Sequence, residues 1–289
     1  MATQWYKANL HAHSSGSDGR LPPGEVALNY RRNGYQVLAI TDHNTVTPCR
    51  EYSVHDFVCL EGIEMNVGQS ETGSSFHIVG IGVPEGFGGE YGGPQALLDA
   101  IADAGGVGFI AHPYWSCLVA HDMLGLRNCL GIEVYNHGCE LEIAKGISSV
   151  QWDDLLVRGE RYVALGVDDG HWCGWDYGGG FTMILADELS REAVLQALRN
   201  GDCYASMGPL IHDLQVTEDG ISVECTPAAA INFVADNQRG WCAQKGSRPP
   251  LTGARYLRVG GERYVRVEIV DETGLKAWSQ PVYFDGSAS

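Results

Sequence analysis

Two histidines and an aspartate stand close together near the start of the chain: His11, His13 and Asp18. The apolar run that ends at His11 is typical of a buried strand, and residues two apart on a strand point to the same side. The two imidazoles can therefore converge on one point, and the turn-rich loop that follows can return Asp18 to it. Two imidazoles and a carboxylate form a partial shell for Zn, Mn or Fe, whereas two structural histidines that happen to alternate are the simpler alternative.

The same order, an apolar strand followed by metal-capable side chains, recurs further along the chain. His43, Glu64 and His112 each come after such a run. His77 instead stands at the start of its strand, directly after a Gly/Ser-rich turn. A hairpin would explain this difference, because it folds the start of the second strand back beside Glu64.

The last strand of the series, 162–167, is followed by Asp168, Asp169 and His171. The two aspartates compete for one role, and Asp169 is preferred because Asp-x-His places it two residues from His171. The full set of candidate ligands is His11, His13, Asp18, His43, Glu64, His77, His112, Asp169 and His171. A single histidine at a strand end is more often structural than a ligand, but six in one repeating pattern favour a metal site. So many ligands exceed one tetrahedral site, which predicts two or three divalent cations.

Neighbouring cations lower the pKa of a shared water and neutralise charge on a reacting oxyanion. This chemistry suits phosphate esters best, although amides, carboxylic esters and lactones are also open to it. Arg20 could bind a substrate phosphate as a bidentate donor, and a lone surface arginine is an equally good interpretation. His137, at the end of another strand-like run, is a second candidate for substrate contact.

Polar residues at successive strand ends, with helical stretches between several strands, predict a barrel-like β/α ring over residues 1–207. An open α/β sheet is the alternative. After Met207-Gly208-Pro209 the pattern changes to short strand-like runs separated by turns. The run 264–270 alternates apolar and charged side chains, as on a half-buried antiparallel strand. We therefore predict a small antiparallel β domain over residues 208–289, with a structural role by default and the capping of a substrate entrance as the alternative.

Composition narrows the choice of partners. The chain has 289 residues and a net charge of −17, from 36 acidic and 19 basic side chains. This charge opposes binding to nucleic acid polymers and to anionic membranes. Nine cysteines, an odd number without a Cys-x-x-Cys pair, argue against a disulfide framework. With no leader pattern and no apolar run of membrane-spanning length, we expect a cytoplasmic protein with a small-molecule substrate.

Taken in order, the motifs resemble those of the polymerase and histidinol phosphatase (PHP) superfamily. They are His-x-His with Ser-Asp-Gly, Thr-Asp-His, Glu-Gly-Ile-Glu, Phe-His-Ile-Val-Gly, Ala-His-Pro, Glu-Val-Tyr-Asn and Asp-x-His, and they run from His11 to His171. The resemblance implies a distorted (β/α)7 TIM-like barrel with a trinuclear centre of Zn, Mn or Fe. It implies a bridging hydroxide as the nucleophile, and makes Asp18 and His171 the candidates that aid proton transfer to the leaving group.

Carried over residue by residue, the resemblance also implies how the ligands are shared. One metal would be held by His11, His13, Glu64 and Asp169. A second would be held by Glu64, His77 and His112. A third would be held by Asp18, His43 and His171.

Three functions follow as hypotheses. The first is a metal-dependent phosphoesterase acting on a small phosphorylated metabolite, a nucleotide or a cyclic phosphate. The second is a metal-dependent carboxylic ester or amide hydrolase, because the segment 201–209 resembles one that leads into a C-terminal β extension in some members, including a carbaryl-hydrolase-like branch. The third is a non-catalytic accessory module that retains a metal site.

Overall fold

The structure, a computed structural model, describes residues 3–284. The chain divides into two compact units between Cys203 and Tyr204. This division lies a few residues before the boundary predicted after residue 207. The last five residues of the predicted second domain, 285–289, lie outside the described residues.

The first unit alternates strands with helices. Its strands are β1 (Gln4–Asn9), β2 (Val37–Ile40), β3 (Val58–Val67), β4 (Phe76–Ile81), β5 (Val107–Ile110), β6 (Cys129–Asn136), β7 (Val163–Val167) and β8 (Phe181–Ala186). Its helices are α1 (Pro23–Arg32), α2 (Pro94–Asp103), α3 (Ala120–Met123), α4 (His137–Ile143), α5 (Ser149–Val157) and α6 (Arg191–Asn200), with a short 3-10 helix at Arg50–Tyr52.

The strands of the first unit form one mixed sheet in the order β8-β1-β2-β3-β4-β5-β6-β7. The pairs β1/β2, β2/β3, β5/β6 and β6/β7 are parallel, whereas β4 is antiparallel to both neighbours and β8 is antiparallel to β1. The carboxyl ends of six strands and the amino end of β4 therefore meet at one edge of the sheet. β3 and β4 form the expected hairpin, in which His77 pairs with Asn66.

Closure of this sheet into a barrel is not established by backbone pairing. Among the described strands of the first unit, β1 to β8, the ladder begins at β8 and ends at β7. These two strands are joined by a side chain instead, because the Thr182 hydroxyl donates to Gly166 O at 2.9 Å and accepts from Gly166 N at 3.1 Å. The α/β sheet is thus established, and the closed (β/α)7 barrel stays a prediction.

Local sequence explains where the helices begin and end. α1 and α2 start with a proline, whose missing N–H costs nothing in the first turn. Ser190 caps α6 by accepting from Ala193 N, and Gly201 ends it with a left-handed φ of 75°. The buried face of α6 packs on a core of strand residues that includes Leu60 and Phe109. This packing keeps the sheet rigid beneath the strand ends.

The second unit contains β9 (Cys203–Ser206), β10 (Ile211–Thr217), β11 (Gly220–Ala228), β12 (Ala230–Ala235), β13 (Gly240–Gln244), β14 (Leu251–Leu257), β15 (Tyr264–Val270), β16 (Lys276–Ser279) and β17 (Val282–Tyr283). Antiparallel ladders join β13-β12-β15-β16-β9, with β17 beside β15, and β10-β11-β14.

The prediction of a half-buried strand over residues 264–270 is wrong. Arg266 and Glu268 are both buried, so β15 is covered on both faces. Polar partners explain how a charge is tolerated there: Glu268 accepts from Lys276 Nζ and from Trp278 Nε1, each at 3.0 Å. Within residues 3–284, the helices are too short or too polar to cross a lipid bilayer.

Candidate metal centre

The nine side chains predicted as ligands lie together at the edge of the first unit where the strand ends meet. A network of short contacts joins them, with Glu64 at its centre. Three groups of side chains in this network bring their ligand atoms within 4.8 Å of one another: His11, His13 and Asp169; Glu64, His77 and His112; and His13, Asp18, His43 and His171.

The deepest group has the dimensions of a tetrahedral site. Its facing atoms are His11 Nε2, His13 Nε2, Glu64 Oε2 and Asp169 Oδ1. The two nitrogens lie 3.1 Å apart, each lies 3.3 Å from the Glu64 oxygen, and they lie 3.2 and 3.0 Å from the Asp169 oxygen. A zinc tetrahedron with bonds of about 2.0–2.1 Å has ligand–ligand edges of about 3.3–3.4 Å. These atoms therefore fit around one ion.

Glu64 also reaches a second group with its other oxygen. Oε1 lies 2.8 Å from His77 Nδ1 and 3.3 Å from His112 Nε2. One carboxylate thus faces two clusters through separate oxygens, which is the arrangement of a bridging ligand.

The third group lies nearer the surface. Asp18 Oδ2 lies 3.5 Å from His43 Nε2 and 3.5 Å from His171 Nε2. The Asp18 side chain is 55% exposed, whereas the residues of the deepest group are buried. Asp18 is therefore the member of the cluster that an incoming molecule can reach most directly, and the partly exposed His43 and His171 lie on either side of it.

Two buried atoms lack the hydrogen bonds that they would need in an ion-free site. His13 Nδ1 and Asp169 Oδ1 are buried without a hydrogen-bond partner among the described residues. Leaving such groups unpaired costs about 1–3 kcal/mol each, and more for a charged group. Asp169 Oδ1 also lies close to two imidazole nitrogens without hydrogen-bond geometry. A cation held between His13 Nε2 and the Asp169 carboxylate would satisfy Asp169 Oδ1, so the donor set fits a metal.

The electrostatics of the cluster agree with this assignment. Burial lowers the pKa of His13, but the Asp169 and Glu64 carboxylates outweigh burial and raise that pKa to about 9. Burial likewise opposes ionisation of Glu64 and Asp169, yet the neighbouring imidazoles hold the pKa of each carboxyl well below its ordinary value. The two carboxylates are therefore ionised at neutral pH and attract positive charge, whether from protons or metal ions.

Hydrogen bonds behind the cluster fix the histidine tautomers. His171 Nδ1 donates to the carbonyl oxygen of Asp169 at 2.9 Å, and His11 Nδ1 donates to Glu133 Oε1 at 2.7 Å. Because these nitrogens carry the protons, Nε2 of each ring presents its lone pair to the cluster. From the sequence, Glu133 is part of the Glu-Val-Tyr-Asn motif but has no predicted role, although it is an ionisable residue inside an otherwise apolar strand.

Glu133 and Asn136 tie the cluster to β6. Glu133 Oε2 accepts from His112 N at 2.7 Å and from Asn136 Nδ2 at 2.9 Å. Asn136 Nδ2 also donates to Asp169 Oδ2 at 3.1 Å, while its Oδ1 caps α4 by accepting from Cys139 N. These contacts hold the ends of β5, β6 and β7 in register at the cluster.

The backbone is strained at two of the candidate ligands. His112 has a φ of 27° and Asp169 a φ of 54°. Left-handed conformations cost about 1–3 kcal/mol at non-glycine residues and persist where the surroundings impose them, often at functional sites. In this conformation His112 lies beside Glu64, and Asp169 lies beside His11 and His13.

Asp168 and Asp169 have different roles. The Asp168 carboxylate accepts backbone N–H groups of Gly178, Gly179 and Gly180 at 2.7–3.0 Å and points away from the cluster. Burial raises its pKa, and the backbone hydrogen bonds oppose that rise. Asp168 therefore anchors the loop after β7, whereas Asp169 faces the histidines.

Asp42 shapes the loop that carries Asp18. Its carboxylate accepts from Ser14 N at 2.7 Å, from Ser14 Oγ at 2.6 Å and from Ser17 Oγ at 2.8 Å. Gly19 closes the loop against the chain, because an added Cβ would lie 2.6 Å from the backbone of His13. These contacts return Asp18 to the histidines, as the turn-rich sequence predicts.

The two predicted substrate contacts lie away from the cleft of about 640 Å³ that opens over the cluster. The Arg20 side chain is exposed and is not among the residues that line this cleft. His137 contacts the Tyr135 hydroxyl with Nδ1 at 2.9 Å and the Trp175 carbonyl with Nε2 at 3.1 Å. Both of its ring nitrogens are thus occupied, and His137 positions the loop that bears Trp175.

Comparison with known proteins identifies the fold. No family model matches the chain. A solved two-domain protein from Bacteroides vulgatus, which contains a predicted PHP-like metal-dependent phosphoesterase, superposes over 98% of this chain and 96% of its own with a TM-score of 0.55 and 16% identity. The chain has a PHP-like fold. The PHP resemblance of the sequence motifs is thus confirmed at the level of the fold.

Two curated proteins are similar to parts of this chain in sequence. An uncharacterized protein of Methanocaldococcus jannaschii is 27% identical over 149 residues, which is 45% of this chain and 81% of that protein. A 5'-3' exoribonuclease of Haemophilus influenzae is 33% identical over 79 residues, which is 26% of this chain and 28% of the exoribonuclease.

Proposed function

We propose that this PHP-like protein is a metal-dependent phosphoesterase that hydrolyses a small phosphate ester. The observation that supports this most strongly is the shared carboxylate of Glu64, which faces one tetrahedral cluster through Oε2 and a second through Oε1. Adjacent cation sites of this kind suit the attacking and leaving oxygens of phosphoryl transfer.

The proposed ligands are divided among three sites. His11, His13, Glu64 and Asp169 would hold one ion; Glu64, His77 and His112 a second; and Asp18, His43 and His171 a third. When bound, Zn, Mn or Fe would lower the pKa of a water and offset charge on the phosphoryl oxygens. Two or three ions are compatible with the cluster.

Residues of the chain would supply the proton transfer that the reaction also needs. A water oxygen adds to phosphorus, the bond from phosphorus to the leaving oxygen breaks, and the leaving oxygen takes up a proton. Asp18 and His171 lie at the exposed side of the cluster, 3.5 Å apart, where a leaving group can reach them. We assign them to proton transfer at the leaving oxygen when two ions are bound and the third site is open.

Substitution of the cluster tests this proposal. His11→Ala and Glu64→Ala should each abolish hydrolysis of a phosphate ester panel while the protein remains folded by circular dichroism. His55→Ala is a matched control, because His55 is exposed and lies outside the cluster. Unchanged turnover in either cluster variant would rule the phosphoesterase assignment out.

A carboxylic ester or amide hydrolase is the second candidate. The residues that line the cleft, within the described part of the chain, include neither lysine nor arginine, which suits a substrate without a phosphate group. Hydrolysis of aryl carboxylic esters together with inactivity on every phosphate ester would favour this function. A non-catalytic module is less well supported, since all nine predicted ligands are present and converge.

The proposal also includes the cellular location of the protein and the size of its substrate. Nine cysteines without a Cys-x-x-Cys pair support a reducing, cytoplasmic location. The net charge of −17 supports a small-molecule substrate rather than a nucleic acid polymer.

A further inference from the structure

The wall of the cleft beyond the metal ligands has a distinct chemical character. It is formed mainly by Trp115, Cys139, Leu141, Glu142, Trp175 and Asp176. The wall therefore combines two indoles and an aliphatic side chain with two carboxylates. Nearby cations are directed elsewhere: Lys145 Nζ lies 3.5 Å from Cys117 Sγ, and the Arg20 side chain is exposed outside the cleft.

Trp115 forms the aromatic wall next to the metal cluster. Its ring lies edge-on to His112 with centroids 5.0 Å apart, and edge-on to His77 at 5.8 Å. Its Nε1–H donates to Glu142 Oε2 at 3.0 Å, which fixes the orientation of the indole. A planar group bound at the cluster would meet a positioned aromatic surface here.

Trp175 supplies the second indole from the loop after β7. Its side chain is 84% exposed although it lines the cleft. The loop itself is held firmly, because His137 Nε2 donates to Trp175 O and Asp168 binds three successive backbone N–H groups at the end of the loop. An exposed aromatic ring on a secured loop is ready to pack on a ligand without ordering the backbone first.

Carboxylates take the place that cations would occupy in a site for a highly charged phosphate. Asp176 accepts from His171 N at 2.8 Å with Oδ2, while its Oδ1 is buried without a hydrogen-bond partner. Glu142 adds a second negative charge to the wall. Each extra negative charge on a substrate would be repelled by these groups, whereas a hydrogen-bond donor would be accepted by them.

We propose that the substrate is a monoanionic phosphodiester with a planar aromatic substituent, rather than a dianionic phosphomonoester. The inference rests on the proposed phosphoesterase function and adds the class of substrate. The diester carries one negative charge to the metal cluster, and its aromatic substituent packs between Trp115 and Trp175. Hydrolysis adds water across one ester bond and yields a phosphomonoester and an alcohol or phenol.

Three probes with the same leaving group separate charge from aromatic packing. They are p-nitrophenyl phosphate, a dianion; methyl p-nitrophenyl phosphate, a monoanion; and bis(p-nitrophenyl) phosphate, a monoanion with a second aromatic ring. We expect kcat/KM of the metal-loaded protein to be highest for the bis-aryl diester and lowest for the monoester. A preference for the monoester would overturn the inference.

Leu141→Arg tests the role of charge. Leu141 lines the cleft and is 55% exposed, so the arginine can be placed there without disturbing the core. The new cation should raise kcat/KM for the monoester relative to the methyl diester by roughly fivefold. Val150→Arg, at a position 78% exposed and outside the cleft, should leave that ratio unchanged. An equal ratio in Leu141→Arg and Val150→Arg would contradict the inference.

Trp175→Ala tests the aromatic contact. It should lower kcat/KM for the bis-aryl diester by roughly two- to tenfold and change the methyl diester by less than about twofold. Trp241→Ala, which removes an exposed tryptophan of the second unit, is the matched control. Equal losses on both diesters would refute the packing role. Inactivity of the metal-loaded protein on these probes and on the whole phosphate ester panel would instead refute the proposed function itself.

Discussion

Glu133→Gln should weaken metal binding although Glu133 is not a ligand. The buried carboxylate accepts three hydrogen bonds, from His11 Nδ1, His112 N and Asn136 Nδ2. Glutamine keeps the shape but offers one oxygen and one NH₂ group. If its oxygen faces His112 and Asn136, the NH₂ group faces His11 Nδ1 and forces the proton onto Nε2, where it blocks the lone pair. If the amide is flipped, two N–H donors meet the NH₂ group instead.

Either orientation of the amide gives the same expected loss of zinc affinity. A buried donor without an acceptor costs about 1–3 kcal/mol, and losing the orienting partner of a metal-bound histidine typically lowers affinity about 10–100-fold. We therefore expect the dissociation constant for Zn to rise about 10–100-fold, as measured by competition with a chromophoric chelator.

A matched control guards against a general effect of losing a glutamate. Glu142→Gln removes a carboxylate that contacts Trp115 and no candidate ligand, so Zn affinity should change by less than about threefold. Circular dichroism should show both variants folded. Wild-type Zn affinity in folded Glu133→Gln would refute the reasoning that Glu133 sets the His11 tautomer.

Three further predictions concern stability and metal content. Asp168→Asn should destabilise the protein by about 2–3 kcal/mol in urea unfolding, because its carboxylate binds three backbone N–H groups, but should keep the wild-type metal content; loss of metal without loss of stability would contradict this. Removing metal with a chelator should lower the Tm, and added Zn should restore it, since the ion binds only the folded cluster; an unchanged Tm would argue against a metal site. Phe109→Ala should cost about 3–5 kcal/mol, because Phe109 is buried in the core of the first unit; a loss below about 1 kcal/mol would show that the core collapses around the gap.

Much of the candidate site could be predicted from the chain because its ligands follow apolar runs. His11 and His13 alternate just beyond the end of β1, and Asp-x-His repeats that spacing at Asp169. The position of His77 at a strand start also has a local explanation, since a Gly/Ser-rich turn before it indicates a hairpin. In each case the candidate ligand lies within a few residues of the apolar run or turn that predicts its position.

What could not be predicted depends on contacts between distant residues. Glu133 lies in a strand that is buried along its inner length, so alternation gave no sign of which way its side chain points. The separate role of Asp168 depends on glycines ten to twelve residues later. Arg20 follows the ligand loop in sequence, but its side chain is exposed outside the cleft. Neighbours in sequence therefore do not share a site unless the fold turns both inward.

The most direct test of the central claim is the metal content of the purified chain after reconstitution, compared between the wild type and His11→Ala. The convergent cluster predicts two or three ions per wild-type chain, and at least one fewer in the variant. Equal content in the two folded proteins, or less than one ion per wild-type chain, would contradict the account.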